Sequence, residues 1–241
     1  MITERNKYKT GRLTAKPANA AMKAEVVKGI FQLRLEDKKD HFFYIPQKYE
    51  HNEPAALAVM LHGAGAPAGQ GLSLLQQYAD EMNIILLAPA AQTYTWDIIA
   101  GDTFGPDVIL IDQALAHIFT TYTINPAHVA IGGFSDGASY ALSLGLTNGD
   151  LFTHIIAFSP GFAYTLEKTG KPAVFISHGT KDQVLPIDPC SRRIVPQLQR
   201  QGLNVSYKEF NGEHEIPAFI SERAIEWFMR DGANTLQSSN C

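Results

Sequence analysis

The chain is poor in cysteine. Of its 241 residues only Cys190 and Cys241 are cysteines, one directly after a proline and the other at the last position. Neither count nor spacing builds a disulfide framework or a metal site, and a reducing cytoplasm is the expected location. An excess of one charge is also missing: 20 Lys plus Arg stand against 24 Asp plus Glu, a net charge of −4. That balance leaves no footprint for a nucleic-acid partner. No apolar run approaches the length needed to cross a bilayer, so no membrane partner is expected. Arg5, Lys7, Lys9, Arg12, Lys16 and Lys23 near the start are not followed by an apolar core, so no secretory signal is expected. Residues 1–25 therefore read as a flexible basic segment, with organelle targeting as the alternative. Internal repeats and composition breaks are absent as well. Residues 26–232 are expected to form one domain and residues 233–241 a polar tail. Oligomeric state is not legible.

What is present is an alternation of short apolar runs and helical stretches. Val26 to Glu36 and His41 to Ile45 read as a leading antiparallel pair, and Ala56 to Leu61, Ile84 to Ala88, His128 to Gly132, Ile155 to Phe158, Ala173 to Ser177 and Asn204 to Phe210 as further strands. Between them lie helical patterns over Leu72 to Met82, Pro106 to Tyr122, Ala138 to Thr147, Asp188 to Gln201 with a kink expected at Pro196, and Ile216 to Met229. Strands alternating with helices imply an α/β fold: a mostly parallel central sheet with helices on both faces.

The stretch around which the rest is arranged is Gly133-Phe134-Ser135-Asp136-Gly137, between a strand pattern and a helix pattern. A serine at such a turn is a candidate nucleophile elbow, its flanking glycines relieving the crowding. A hydroxyl is a poor nucleophile at neutral pH, so it needs an imidazole base, and the base needs an acceptor that sets its tautomer. His214 lies in a polar turn between the last strand and the last helix. Asp182 follows the strand that ends near Ser177, whereas Asp97, Asp102 and Asp188 precede the serine or lie farther from a strand end. The order Ser135, Asp182, His214 is that of the α/β-hydrolases rather than of either protease class. Two backbone amides must also meet the developing oxyanion; Asp136 offers one, and Ala64, in a glycine-rich loop after a buried strand, offers the other.

Leu61-His62-Gly63-Ala64-Gly65, Gly133-Phe134-Ser135-Asp136-Gly137, His178-Gly179-Thr180-Lys181-Asp182 and Gly212-Glu213-His214 together resemble the phospholipase/carboxylesterase branch of the α/β-hydrolases, over roughly Ala56 to Met229. The resemblance implies an LHG-type oxyanion loop and HGxxD and GxH segments carrying acid and base. Asp136 stands where that branch commonly has glutamine, and Glu213 replaces the second glycine of a GGH-like turn. At a first helical turn, the Asp136 carboxylate is expected to face the other free amides.

Only Ser159 to Pro172 separate two successive strands, too little for a helical lid, so an open site walled by Tyr94, Trp96, Phe104, Phe162 and Tyr164 is expected. The function that follows is hydrolysis of short-chain, soluble carboxylic esters through a Ser135 acyl-enzyme, with a small-molecule ester as partner and no cofactor or metal required. A thioesterase or polyester depolymerase would use the same groups, and a non-catalytic binding protein would need the fold but not the three residues.

Overall fold

The computed structural model describes residues 8–17, 26–35, 37 and 39–230. Eight strands form one sheet in the order β1-β2-β4-β3-β5-β6-β7-β8. They are β1 (Gly29–Leu33), β2 (His41–Ile45), β3 (Ala55–Leu61), β4 (Ile84–Ala88), β5 (Ile124–Phe134), β6 (His154–Phe158), β7 (Ala173–Gly179) and β8 (Val205–Phe210). β2 is antiparallel to β1 and β4, and every other neighbouring pair is parallel.

The continuous apolar run of β3 reflects burial on both faces. Leu57, Val59 and Leu61 enter one core, and Ala58 and Met60 enter the other, as a side-chain period of two requires. Three helices cover the first face: α4 (Pro106–Thr121), α5 (Asp136–Thr147) and α6 (Ser191–Arg200). The second face is covered by α1 (Ala68–Ser73), α2 (Gln76–Met82) and α7 (Ala218–Phe228). α4 contributes Val108, Ile111, Leu115, Ile118 and Phe119, which recur at helical spacing along one face.

Local differences from the sequence reading have local causes. The stretch expected as one helix over Leu72 to Met82 is two, α1 and α2, with α1 starting earlier. α1 lies so close to β3 that a Cβ on Gly71 would sit 2.2 Å from the Met60 carbonyl oxygen. The pattern over Asp188 to Gln201 is one helix, α6, which starts at Ser191 and contains Pro196. The loop after β4 holds a short helix, α3 (Asp97–Ala100). No helix lies between β6 and β7, and Gly161 N–H and Tyr164 N–H donate to Ser139 Oγ and Ser143 Oγ on α5, drawing that link down as a short surface turn. No described helix is long and apolar enough to cross a membrane.

The reading of residues 1–25 as flexible is corrected for residues 8–17, which pack against α4 and α5 with Leu13 and Ala15 buried. Asp112, buried on α4, accepts from Thr14 N–H, Ala15 N–H and the hydroxyls of Thr14 and Tyr8. Asn148 accepts from Leu13 N–H and donates to Gly11 O, and Arg12 pairs in bidentate fashion with Asp150. Those partners are scattered acidic and amide side chains on α4 and just past the end of α5, which local pattern does not reveal. The polar tail expected at 233–241 lies outside the described residues.

Candidate active site

β5 ends at Phe134 and α5 begins at Asp136, leaving Ser135 alone at the turn with φ 57° and ψ −120°. A non-glycine residue in that region costs about 1–3 kcal/mol and persists only where the surroundings over-determine it. Here they do: Ser135 N–H donates to Phe158 O at 2.9 Å, and Ser135 O accepts from the amides of Ala138 and Ser139. A Cβ on Gly137 would lie 2.4 Å from Leu61 O, and one on Gly133 would lie 2.6 Å from the Gly137 backbone. Those two glycines let β3, β5 and α5 meet closely enough to hold the turn.

The other two residues arrive from separate strand ends. His214 Nε2 is 2.9 Å from Ser135 Oγ, and His214 Nδ1 is 2.6 Å from Asp182 Oδ2. Asp182 Oδ1 accepts from Val184 N–H and Leu185 N–H. Burial raises the Asp182 pKa, but the His214 hydrogen bond and these two amides outweigh it, so the carboxyl sits below its ordinary value and stays ionised. Two of the competing acids are committed elsewhere. Asp97 accepts from Gly105 N–H, Asp107 N–H and the Tyr140 hydroxyl, and Asp188 pairs with Arg192 at the surface. Asp102 lines a cavity with Phe162.

The loop after β3 passes beside the serine. A Cβ on Gly63 would lie 3.5 Å from Ser135 Cβ. Gly63 N–H donates to Gln70 Oε1 at 2.8 Å, and Gly65 N–H to Tyr94 O at 2.7 Å. Between them, the amide of Ala64 has no protein acceptor among the described residues, nor has that of Asp136. These two free donors are the ones the sequence singles out. The Asp136 carboxylate does not face the other helix amides as expected; it accepts from Thr95 Oγ1 at 2.6 Å, tying the loop after β4 to the elbow.

Two expected wall residues are corrected. Trp96 and Phe104 are 0% and 1% exposed and belong to the core, because Tyr140 on α5 supplies an aromatic face for both. Tyr94 is 74% exposed and lines an open groove of about 690 Å³ with Gly65, Ala66 and Phe42. That groove flanks the loop after β3 and does not include Ser135 in its lining. Phe162 and Tyr164 line a smaller cavity of about 300 Å³ with Ile98, Ile99 and Asp102. The isoleucine pair was missed; two adjacent β-branched apolar residues in an otherwise polar loop were the available signal. A third cavity, of about 420 Å³, is lined by His214, Lys181, Gln183, Val184, Glu213 and Glu215.

Residues 108–227, about half of the chain, match the family model described as Phospholipase/Carboxylesterase. The chain belongs to that esterase family. It is 31% identical over 184 residues to an acetylxylan esterase of Coprinopsis cinerea, an alignment covering 71% of this chain and 46% of the relative. The chain thus spans about half the length of that curated relative. Among solved structures it is similar to esterase PE8, at TM-score 0.62 and 23% identity over 77% of this chain and 95% of the other. It is also similar to a CE1 ferulic acid esterase from Anaeromyces mucronatus, at TM-score 0.57 and 18% identity over 89% of this chain and 96% of the other. At these identities the structural likeness carries the α/β-hydrolase fold alone, an eight-stranded, mostly parallel sheet with flanking helices.

Proposed function

We propose that this esterase-family chain hydrolyses carboxylic esters of short acyl chains through a covalent intermediate on Ser135. The observation that carries the reading is the continuous hydrogen-bonded line from Ser135 Oγ through His214 to Asp182, at 2.9 and 2.6 Å. Ser135 Oγ–H is oriented to donate to His214 Nε2, and His214 Nδ1–H donates to the ionised Asp182. In acylation, Nε2 takes the proton as Oγ attacks the ester carbon, and the carbonyl oxygen becomes an oxyanion met by the Ala64 and Asp136 amides. The imidazolium then returns its proton to the departing alkoxide, releasing the alcohol. Water, deprotonated by the same nitrogen, attacks the acyl-enzyme and releases the acid, restoring Ser135.

The acyl preference follows from the cavity of about 300 Å³ between the loops after β4 and β6, at the sheet edge that carries Ser135. Each buried methylene contributes about 0.8 kcal/mol, so preference should rise only until that space is filled. The alcohol must leave beside Nε2, its proton source. His214 borders the cavity lined by Lys181, Gln183, Glu213 and Glu215, whose polar side chains favour a small hydrophilic alcohol over a long alkyl chain. The name of the acetylxylan esterase relative agrees with a short acyl group and a hydrophilic alcohol. A fluorophosphonate probe with peptide mass spectrometry, followed by a panel of p-nitrophenyl esters, tests the proposal. The adduct is expected on Ser135 and the specificity constant is expected to peak between acetyl and hexanoyl; an adduct elsewhere, or a steady rise through dodecanoyl, overturns it.

A further inference from the structure

We propose that Trp96 is a positioning residue for the oxyanion hole. The inference rests on the ester-hydrolase reading of Ser135 and starts from the planarity of the peptide bond. In a trans peptide the carbonyl of one residue and the N–H of the next point in opposite directions, so holding one end aims the other. The Ala64 N–H shares its peptide with the Gly63 carbonyl. That carbonyl is held by the His62 ring, whose Nδ1 lies 2.7 Å from Gly63 O. Because a carbonyl only accepts, Nδ1 carries the proton, and Nε2 accepts from Ala91 N–H at 3.0 Å. Burial lowers the pKa of His62, so the neutral tautomer required by both bonds is the stable one.

The preceding peptide is held at both ends. Its carbonyl, His62 O, accepts from Trp96 Nε1–H at 3.0 Å, and its amide, Gly63 N–H, donates to Gln70 Oε1 at 2.8 Å. Trp96 also lies against the His62 ring, with centroids 4.9 Å apart. One indole thus fixes both the carbonyl of His62 and the ring that aims the next peptide. No hydrogen bond or ring contact joins Trp96 to Ser135, His214 or Asp182, so its influence passes through His62. The indole is itself backed from below: Tyr140 stacks on it at 5.0 Å, and Phe104 meets Tyr140 edge-on at 5.8 Å. Gly11 of the N-terminal segment lies flat on Phe104, where a Cβ would be 2.7 Å from the ring. A solvent-exposed substrate wall has no use for such backing.

The test replaces Trp96 with 3-benzothienylalanine, which keeps the shape of the indole and lacks the N–H donor, and makes the same replacement at Trp227 on α7 as control. Trp96→Phe is the second variant. Turnover of p-nitrophenyl acetate, inhibition by a boronic acid that forms a tetrahedral adduct on Ser135, thermal midpoint and the Ala64 amide resonance are measured for each. Losing an oxyanion donor costs about 100- to 1000-fold, and misaiming one should cost about 10- to 100-fold. For both Trp96 variants the expected result is a kcat loss in that range, KM within about twofold, boronate affinity reduced in parallel and a displaced Ala64 resonance. The Trp227 control should keep kcat whatever its midpoint. Wild-type-like kcat and boronate affinity in a folded Trp96 variant, or equal losses at Trp227, overturn the proposal. Should the wild type neither turn over ester nor label at Ser135, the ester-hydrolase reading fails; the Ala64 resonance still decides the geometry, and an unmoved resonance overturns it.

Discussion

His178 Nε2 lies 3.2 Å from Asp182 Oδ2, the same oxygen that holds His214 at 2.6 Å. His178 is fully buried, and burial lowers its pKa despite the neighbouring carboxylate. Its Nε2–H donates chiefly to Leu185 O at 2.7 Å, while Nδ1 stands 2.7 Å from Ser191 Oγ. A neutral imidazole in this place steadies Asp182 without neutralising it, so the charge remains available to His214.

Asp182→Asn should therefore lower kcat by up to about 10⁴-fold with little change in KM, since the amide no longer stabilises an imidazolium. Asp188→Asn, at the surface beside Arg192, should stay within about twofold. Steady-state kinetics on p-nitrophenyl acetate separate the two, and near-normal turnover in Asp182→Asn would move the acid elsewhere.

Ser135→Ala should reduce ester turnover by several orders of magnitude and abolish fluorophosphonate labelling while leaving the circular dichroism spectrum intact. It should also melt no lower than the wild type. The substituted side chain makes no buried packing contact that the fold needs, and the strained backbone is common to both proteins.

Phe162→Ala and Ile99→Ala should move the acyl optimum by about two to four carbons towards longer chains, because each opens the cavity they share with Ile98. Specificity constants across acetyl to decanoyl esters read this directly. An unchanged chain-length profile in both would place the acyl group elsewhere, with the groove under Tyr94 as the next candidate.

Asp107 supplies a pH dependence. Burial, then the nearby Asp97, pushes its pKa up to about 7 from 3.8. A carboxyl raised in the folded state binds more protons there than in the unfolded chain between those two values, so this group's contribution to stability falls as pH rises through that window. Asp107→Asn should flatten the decline of the thermal midpoint between pH 5 and 7. A slope equal to the wild type's would show that Asp107 is already ionised when folded.

The N-terminal segment should matter for stability more than for chemistry. Asp112→Ala removes one acceptor of two amides and two hydroxyls at once, and hydrogen bonds to charged groups contribute about 1.5–3 kcal/mol each at most. A loss of about 2–4 kcal/mol in a urea titration is expected, with kcat on p-nitrophenyl acetate within about threefold of wild type.

What depends on local pattern and chain order was legible in the residues. Apolar runs of strand length around the Gly133 to Gly137 turn determine a mostly parallel sheet with a serine at a strand-to-helix elbow. The order Ser135, Asp182, His214 just past strand ends then identifies which acid and which imidazole reach it, and parallel strands bring those ends to one edge. Which aromatic residues face solvent follows instead from packing across the fold. Tyr94, Trp96 and Phe104 share one polar loop and look alike in sequence, yet Tyr94 lies open while the other two are buried, because the ring that receives them, Tyr140, comes from a helix about 40 residues away. The same holds for residues 8–17, a polar segment without periodicity that is held by Asp112 on α4 and by Asn148 just past the end of α5. Burial of this kind depends on partners brought together by the fold, and periodicity along one segment cannot register them.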